Sequence, residues 1–375
     1  MLLKHAASTT RHRGIALLGS LARITPLRSL VLVILVLAYL LRSPIYGAYD
    51  FASQRHPWSV QRQLERDFNP TQDELACLNS TAQSKSAADA IPNVVHFMYI
   101  FQAPLAQKRG MQFDFLNYLA VRSAIVTLQP NAIFLHYAFI THDGAGSAKM
   151  TMDPSSNPWI RRLRKHVHVI EHYLGDTSGH DIAYLADLRR LQILRDNGGI
   201  YMDMDAYALQ PFTNILNPPR PRDVVLGHEG GNRWGLRNAI IAARRQSMFI
   251  NRWLAEFETG KPRKDWTYKS TRFPKSLAVK QPNEVCALPP SAFFWPTWTW
   301  DHVEWMHEPI DKDEAKHWQN EMDNNGGALF EGQLAYHSWS RMASERYLSK
   351  LNADVIRKQD TRFNLLMRRF LEDDV

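Results

Sequence analysis

The chain has 375 residues, of which 45% are hydrophobic, and it contains 11 Trp, 13 Tyr and 17 Phe. So many aromatic side chains require a core, which excludes low-complexity, collagen-like and disordered proteins, and two Cys exclude a disulfide scaffold. The formal net charge is +8, but six of the 45 Lys and Arg precede the first acidic residue, Asp50. Because the rest of the chain is close to neutral, we expect no nucleic-acid partner.

The N-terminus carries a pattern typical of membrane attachment. An uncharged run of thirteen residues, 29–41, lies between Arg28 and Arg42. A spanning helix needs ~20 residues, but flanking arginines can snorkel and the apolar character continues beyond Arg42. We predict a cytosolic tail at 1–28 and a transmembrane signal-anchor at 29–46, with the remaining chain on the luminal side. A cleaved signal peptide and a buried core helix are the alternatives.

Residues 47–90 are poorly periodic and end in a polar stretch rich in Ala and Ser. This composition predicts a stem. The sequon Asn79-Ser80-Thr81 fits N-glycosylation of Asn79 in a luminal location. Cys77 lies here too, and it can form at most one disulfide, with Cys286, in an oxidising compartment. The sequence leaves open whether the two pair.

A regular pattern begins at residue 91. We predict strands at 91–100, 132–140, 166–172, 199–209, 223–229 and 238–243, and helices at 114–128, 159–165, 180–196 and 247–258. Strands that alternate with helices of these lengths predict an α/β fold with a mainly parallel sheet over residues 91–342. A charged, helical C-terminal tail is predicted at 343–375. In such open sheets the ligand site lies beyond the carboxyl ends of the strands.

One acidic motif lies in such a position. Asp203-Met204-Asp205 belongs to the predicted strand 199–209. Because side chains alternate along a strand, we expect both carboxylates on one face and Met204 in the core. Adjacent carboxylates repel unless a hard cation lies between them, so the pair predicts a divalent-metal site with positions open to a diphosphate. A second D-x-D, at residues 311–313, lies in a polar region and is predicted to be a solvated loop.

The residues before the first D-x-D make it more specific. Asp187 and Arg190 lie one turn apart on the predicted helix 180–196, which Gly198 and Gly199 end. D-x-x-R followed by G-G-I-Y-M-D-M-D resembles the sugar-binding D-x-D region of glycosyltransferase family 32, which includes fungal Golgi mannosyltransferases. The segment is also similar to animal α-1,4-galactosyltransferases and to the catalytic domain of the large clostridial glucosylating toxins. The resemblance extends more loosely from strand 91–100 to the LAYHSWS segment.

The resemblance implies a GT-A fold, a nucleotide-sugar donor and Mn²⁺ or Mg²⁺ as cofactor. It implies that Asp187 and Arg190 bind the donor sugar and phosphates, whereas without it they would be an ion pair within a helix. Asp203 would contact the donor sugar or ribose. Asp205 would be the firmest metal ligand.

Three further residues of this segment have two interpretations each. Gly198 and Gly199 would let the backbone approach the donor, or would only cap the helix. Tyr201 would contact the donor, or would belong to the core.

Outside this segment the candidates are weaker. His337 resembles the C-terminal element that completes the metal site in related transferases, with a hydrogen-bonded His as the alternative. Trp339 could cover the donor or pack in the core, and Asn238 resembles a pocket Asn of the family but could be a turn residue. Glu229 is either a pocket residue or a solvated rim carboxylate. The aromatic run 293–300 is either an acceptor platform or a packed loop.

The resemblance implies a retaining glycosyltransferase, single-pass type II in the Golgi membrane, that transfers a hexose by a front-face route to a glycan, glycoprotein or glycolipid acceptor. GDP-mannose is the first donor hypothesis and UDP-galactose the second, and an inositol-phosphoceramide mannosyltransferase is an alternative. A glycoside hydrolase needs carboxylates that flank a bond at ~5–10 Å, which two residues so close along one strand do not predict. A non-catalytic luminal glycan-binding protein would have little need for both aspartates.

Overall fold

The computed structural model describes residues 26–56, 59–80, 90–102, 113–140, 153–175, 177, 180–218, 221–259 and 267–374. The chain divides into two compact units, Met1–His56 and Pro57–Val375.

The described part of the first unit consists of two helices, α1 (Pro26–Leu40) and α2 (Arg42–Arg55). The predicted signal-anchor at 29–46 is therefore divided at Leu41 rather than continuous. Across the described ranges, none of the helices combines the length and the apolar character needed to cross a membrane. The prediction of one spanning helix is not supported by these elements.

The larger unit is built on a seven-stranded sheet in the order β3-β2-β1-β4-β7-β6-β8. Its strands are β1 (Val94–Gln102), β2 (Ala132–Ile140), β3 (His168–Glu171), β4 (Gly199–Met202), β6 (Val224–Glu229), β7 (Gly235–Ala243) and β8 (Val285–Leu288). All neighbouring strands are parallel except β7, which runs antiparallel to both β4 and β6. This confirms the predicted α/β fold with a mainly parallel sheet. A second sheet pairs β5 (Ala206–Ala208) with β9 (Ala335–His337) in antiparallel register.

The helices of the larger unit pack around the main sheet in two hydrophobic cores. They are α3 (Gln72–Leu78), α4 (Phe115–Leu128), α5 (Pro158–Leu163), α6 (Ile182–Asn197), α7 (Met248–Thr259), α8 (Phe273–Lys280), α9 (Pro290–Phe293), α10 (Trp300–His307), α11 (Lys312–Asn324), α12 (Ser340–Ala343), α13 (Ala353–Lys358) and α14 (Arg362–Arg368). One core packs α6 and α7 on the sheet through Leu191 and Trp253. The other packs α4 and the C-terminal helices through Leu119 and Phe363.

The C-terminal segment differs from its prediction. The segment 343–375 is helical, but it is not a separate charged tail, because its short helices bury apolar residues, including Phe363 and Leu366, in the core. The D-x-D at 311–313 is not a loop, because Asp311 caps α11 by accepting a hydrogen bond from the Glu314 backbone N–H at 2.9 Å. Asp is favoured there because its side chain satisfies a free helix N–H.

Residues 59–80, which fall in the predicted stem, belong to the larger folded unit. The buried Glu74 carboxylate forms an ion pair with Arg233, at 2.6 Å from Nε. The Gly231 backbone N–H donates to the Leu64 carbonyl at 2.9 Å. Cys77 and Cys286 form a disulfide that ties α3 to β8. These contacts make the segment part of the fold rather than an extended spacer.

The disulfide closes a loop of 209 residues and should stabilise the larger unit strongly. We expect Cys77→Ser to lower the free energy of unfolding by about 2–5 kcal/mol, because the reduced chain has more conformational freedom when unfolded. Urea unfolding of the full-length chain measures this. The matched control is wild-type protein unfolded with a thiol reductant, which should lose the same stability. A change below about 0.5 kcal/mol in both would contradict the expectation.

Two glycines shape the connection into β4. Gly198 has φ +67° and Gly199 has φ +100°. A Cβ at Gly198 would lie 2.7 Å from the Arg245 backbone nitrogen, and one at Gly199 would lie 2.5 Å from the Val94 carbonyl oxygen. Since both conformation and space exclude a side chain, the glycine pair is required to end α6 and start β4.

Three histidines form a hydrogen-bonded chain across the parallel strands, with His96 and His136 buried and His172 half-buried. His96 lies 3.1 Å from the Gly198 carbonyl through Nε2, so this nitrogen donates. His96 Nδ1 then accepts from His136 Nε2 at 3.0 Å, and His136 Nδ1 accepts from His172 Nε2 at 2.7 Å. Burial lowers the pKa of His96 to about 4 and that of His136 to about 2. Burial and Arg189 lower the pKa of His172 to about 4.

This chain should make the fold sensitive to acid. The unfolded histidines take up protons below their ordinary pKa of about 6.5, whereas the folded ones stay neutral until about pH 4. Stability is therefore complete above pH ~6.5 and falls with decreasing pH, by up to about 1.4 kcal/mol per pH unit for each buried histidine. We expect His136→Gln to reduce this slope in urea unfolding between about pH 7 and pH 5. An unchanged slope in the variant would show that the chain does not carry the effect.

Candidate active site

The D-x-D aspartates lie in a turn, not within a strand. β4 ends at Met202 and β5 starts at Ala206, with a turn between them. The Ala206 N–H donates to the Asp203 carbonyl at 3.0 Å, and the Asp203 N–H donates to the Ala239 carbonyl at 2.8 Å. The predicted continuous strand at 199–209 is thus wrong, because the chain leaves the main sheet here to pair with β9. Met204 is partly buried against the core, and its carbonyl accepts from Asn117 Nδ2 on α4 at 3.3 Å.

Asp203 is held at the carboxyl end of β4 by two donors. Arg190 Nη1 lies 2.9 Å from Asp203 Oδ1. The Tyr201 hydroxyl donates to the same oxygen at 2.9 Å. The Arg190 guanidinium also lies over the Tyr201 ring, 4.6 Å from its centroid. The carboxylate is therefore fixed by charge, a hydrogen bond and packing.

Asp187 belongs to the same buried network. Its Oδ1 is 2.9 Å from Arg190 Nη2 and accepts from Asn238 Nδ2 at 2.8 Å. Arg190 Nη1 also donates to the Asn238 carbonyl at 2.7 Å. Burial raises the pKa of Asp187 to about 6, against the opposing effect of Arg190. The structure thus brings together Asp187, Arg190, Tyr201, Asp203 and Asn238, all predicted from the sequence to bind the donor.

Asp205 lies on the other side of the turn and is held by the C-terminal element. β5 pairs Ala206 with His337, and His337 Nε2 lies 3.1 Å from Asp205 Oδ1. The Ser340 backbone N–H donates to Asp205 Oδ2 at 2.9 Å. Although burial opposes ionisation, the His337 imidazole and the hydrogen bonds from Ser340 hold the pKa of Asp205 well below its ordinary value. Asp205 is thus a carboxylate at any physiological pH.

Two side chains of this turn and one from the end of β9 could bind a metal ion. One ligand atom each from Asp203, Asp205 and His337 lie within 4.8 Å of one another. Two carboxylates and one imidazole fit Mn²⁺ well, and the carboxylates alone fit Mg²⁺. The Trp339 backbone N–H donates to His337 Nδ1 at 3.3 Å, so Nε2 carries the proton in this arrangement. A metal ion could bind His337 Nε2 only if the proton were on Nδ1 instead. The long contact from the Trp339 backbone N–H to Nδ1 would then be lost.

A cavity of about 420 Å³ opens beside the turn. Its walls are the carboxyl end of β1, the start of α4, the D-x-D turn and the segment after β9. The serines of that segment line one side: Ser338, Ser340, Ser344 and Ser349. The volume lies in the range of small-molecule sites, and the position is the strand end where ligands bind in such sheets. A second cavity, of about 560 Å³, lies among α11 and α14 and contains no predicted site residue.

Some predicted residues occupy other positions. Gly198 and Gly199 lie at the amino end of β4, opposite the end that carries Asp203, and packing explains them. Their contact with a donor stays a prediction. Trp339 is buried, and its ring packs against His337 with centroids 4.4 Å apart. It thus supports His337, a metal-site candidate, from behind.

Glu229 is not the solvated rim carboxylate that was one of its two interpretations, because its side chain is fully buried. In the run 293–300, Phe293 and Phe294 are core residues, whereas Trp298 is partly exposed. Asn79 is exposed at the end of α3, but Thr81 of its sequon lies outside the described residues. Its glycosylation stays a prediction.

Three contributions were missed by the sequence reasoning. Ser340 binds Asp205 through its backbone, and Asn117 holds the turn from a helix far away in sequence. Neither has a sequence signal, since a backbone donor such as the Ser340 N–H occurs at every residue and the Asn117 side chain reaches the turn from a distant helix. Arg237, next to the predicted Asn238, pairs with Glu229 at 2.9 Å, and a charged residue within an apolar strand was a signal that could have found it.

The sequence matches a known family and a named fungal protein. Residues 120–221 match the family model described as the glycosyltransferase sugar-binding region containing a DXD motif. The chain is 32% identical over 312 residues to glucan organizing enzyme 1 of Cryptococcus neoformans var. grubii. The aligned region covers 80% of this chain and 76% of that protein.

Solved structures with some likeness include two glycosyltransferases. GlyE of Streptococcus pneumoniae TIGR4 has 10% identity and a TM-score of 0.43, covering 76% of this chain and 61% of its own. Mouse xyloside xylosyltransferase 1 has 12% identity and a TM-score of 0.38, covering 66% and 99%. The family model and the sequence relative decide the assignment: this chain belongs to the glycosyltransferases that contain the DXD sugar-binding region.

Proposed function

We propose that the protein transfers a hexose from a nucleotide-sugar to a glycan acceptor with retention of configuration. The observation that carries this proposal is the convergence of Asp203, Asp205 and His337, with ligand atoms within 4.8 Å, at the edge of the 420 Å³ cavity. These residues would hold Mn²⁺ or Mg²⁺. The cavity would take the nucleoside.

The choice of donor and acceptor has weaker support than the reaction class. GDP-mannose is the donor to test first and UDP-galactose the second. The relative's name, glucan organizing enzyme, makes a glucose polymer an acceptor to test beside glycoproteins and glycolipids, inositol phosphoceramide included. The Cys77–Cys286 disulfide supports an oxidising compartment, and a location in the Golgi membrane with the larger unit in the lumen is proposed on that basis.

The chain's own residues would act by positioning and charge. Asp187 and Arg190 are buried and do not line the 420 Å³ cavity, so they would act by holding Asp203 and Asn238 in place for the donor sugar. Asp203 and Asp205 are fixed before any ligand arrives, by Arg190 and Tyr201 on one side and by His337 and Ser340 on the other. A bound Mn²⁺ or Mg²⁺ would offset the negative charge of the departing diphosphate. Rigid placement of this kind lowers the barrier without reorganisation during the reaction.

Turnover of a donor panel tests the proposal. The full-length chain is incubated with GDP-mannose, UDP-galactose and UDP-glucose, with Mn²⁺ or with a chelator, and release of the nucleoside diphosphate is measured. We expect slow hydrolysis of one donor, lost with the chelator. If no donor is turned over and no nucleotide binds with Mn²⁺, the chain is a non-catalytic glycan-binding protein and the proposed function is wrong.

A further inference from the structure

A buried carboxylate organises a second group of side chains beside the metal-site candidates. Glu229 ends β6, and its side chain is fully buried. One of its oxygens accepts from Trp298 Nε1 at 2.6 Å, and the other lies 2.9 Å from Arg237 Nη1. Because a buried carboxylate is costly unless both oxygens are satisfied, Glu229 fixes a tryptophan and an arginine from two different segments.

The Arg237 guanidinium retains donors for a ligand. Within the described part of the chain, its hydrogen-bond partner is Glu229, through Nη1. The plane of the Arg237 guanidinium lies over the Trp339 ring, 4.9 Å from the ring centroid. The Arg237 side chain is 16% exposed. An arginine carries five N–H donors in a planar fork, so this contact leaves part of the fork unused. The arginine is thus rigid, partly open and still able to donate.

Glu229, Arg237 and Trp298 lie at the same end of the sheet as the D-x-D aspartates. β7 runs antiparallel to β4, so Arg237, near the start of β7, lies at the same edge as Asp203, which follows the end of β4. The next residue, Asn238, binds Asp187, and Trp339 packs on His337. Arg237 is therefore connected to Asp187 through its neighbour Asn238 and to His337 through Trp339. It is not among the residues that line the 420 Å³ cavity.

Trp298 is held in place by its own loop. The Trp295 carbonyl accepts from Gln333 Nε2 at 3.0 Å, and the Pro296 carbonyl accepts from Trp339 Nε1 at 2.8 Å. Trp298 itself is partly exposed, with its indole N–H turned inward to Glu229. An aromatic ring fixed in this way offers an apolar face at little entropic cost, and such faces pack on the C–H surfaces of sugars.

We propose that Arg237 and Trp298, both held by Glu229, form the subsite for the acceptor sugar, and that this acceptor is a neutral hexose-containing glycan. The inference rests on the proposed function, because it assigns the second substrate of that same reaction. Glu229 offsets the charge of Arg237, so the pair suits hydroxyl groups better than phosphates or carboxylates. The donor occupies the cavity on one side of the turn, and the acceptor hydroxyl approaches from the side of Arg237.

Binding of simple sugars tests the subsite without a donor. Saturation-transfer NMR on the full-length chain is carried out with maltose, laminaribiose, gentiobiose and methyl α-mannoside. Wild type should bind at least one of them, and Arg237→Gln should weaken that binding about tenfold, which corresponds to about 1.4 kcal/mol. Arg237→Lys keeps the ion pair with Glu229 but has no fork, so it should fold as wild type and bind as weakly as Arg237→Gln. Arg252→Gln, on α7, is the matched control and should bind as wild type.

Kinetics separate this subsite from the donor site. With the donor that wild type hydrolyses, Arg237→Gln should raise the KM for the acceptor about tenfold and leave the KM for the donor within about twofold. If wild type binds none of the probe sugars at about 10 mM, or if Arg237→Gln weakens donor binding alone, the subsite proposal is wrong. If wild type turns over no donor but Arg237→Gln still loses sugar binding, only the proposed function fails.

Discussion

Replacing Asp205 by Asn is expected to reduce sugar transfer by about 10³-fold, the scale of losing one preorganised charge-stabilising group. Asn keeps the shape of the side chain and can still accept from the Ser340 N–H, so the fold should be retained. It removes the negative charge that the pKa of Asp205, held well below its ordinary value, guarantees at neutral pH. The rate of donor hydrolysis and the melting temperature are measured together.

The second D-x-D offers a matched control for this variant. Asp313 is exposed in the first turn of α11, away from the cavity lining. Asp313→Asn should leave turnover within about twofold of wild type. If Asp205→Asn retained more than about a tenth of the activity while folded, its assignment as a metal ligand would be wrong.

Replacing Arg190 by Met should cost both stability and activity. Arg190 is buried and pairs with Asp187 and Asp203, each at 2.9 Å. Its removal leaves two carboxylates without their cation, and breaking a buried pair from one side costs about 3–5 kcal/mol. Because Asp187 already has a pKa raised to about 6, we expect it to take up a proton in the variant, which limits the loss at acidic pH. Urea unfolding at about pH 7 and pH 5 measures both effects.

Two variants decide how this result is interpreted. Arg195→Met changes a partly exposed arginine of the same helix, paired with Asp196, and should cost less than about 1 kcal/mol. Arg190→Lys keeps the charge but cannot form both contacts, so stability should recover partly and donor turnover should stay low. Wild-type turnover in Arg190→Lys would show that the forked contact to Asp187 and Asp203 is not needed for donor binding.

The sequence predicted the sheet and the clustering of Asp187, Arg190 and Asp203 well, for physical reasons. Buried parallel strands such as β2 are apolar along most of their length, with His136 as the exception in β2, and the glycine pair marks the end of α6 without ambiguity. Asp187 and Arg190 lie one helical turn apart, so their shared face follows from helix geometry alone. The resemblance then connected them with Asp203 and Asp205.

Features that depend on distant contacts could not be predicted in this way. The turn at Asp203 and Asp205 exists because β5 pairs with β9, more than a hundred residues later, and no local pattern at 199–209 records that pairing. The burial of Glu229 likewise depends on Trp298, whose position is set by a distant loop. Residues 59–80 lack periodicity, yet a disulfide and the ion pair of Glu74 fix them to the fold.

Binding of Mn²⁺ by the full-length chain tests the central claim most directly. Electron paramagnetic resonance measures free Mn²⁺ in the presence of GDP or UDP, for wild type and for Asp205→Asn. We predict that wild type binds Mn²⁺ together with one of the two diphosphates, and that Asp205→Asn weakens this binding at least about tenfold. Wild-type protein that binds no Mn²⁺ with either diphosphate, or equal binding by the variant, would contradict the assignment of Asp203, Asp205 and His337 as the metal site.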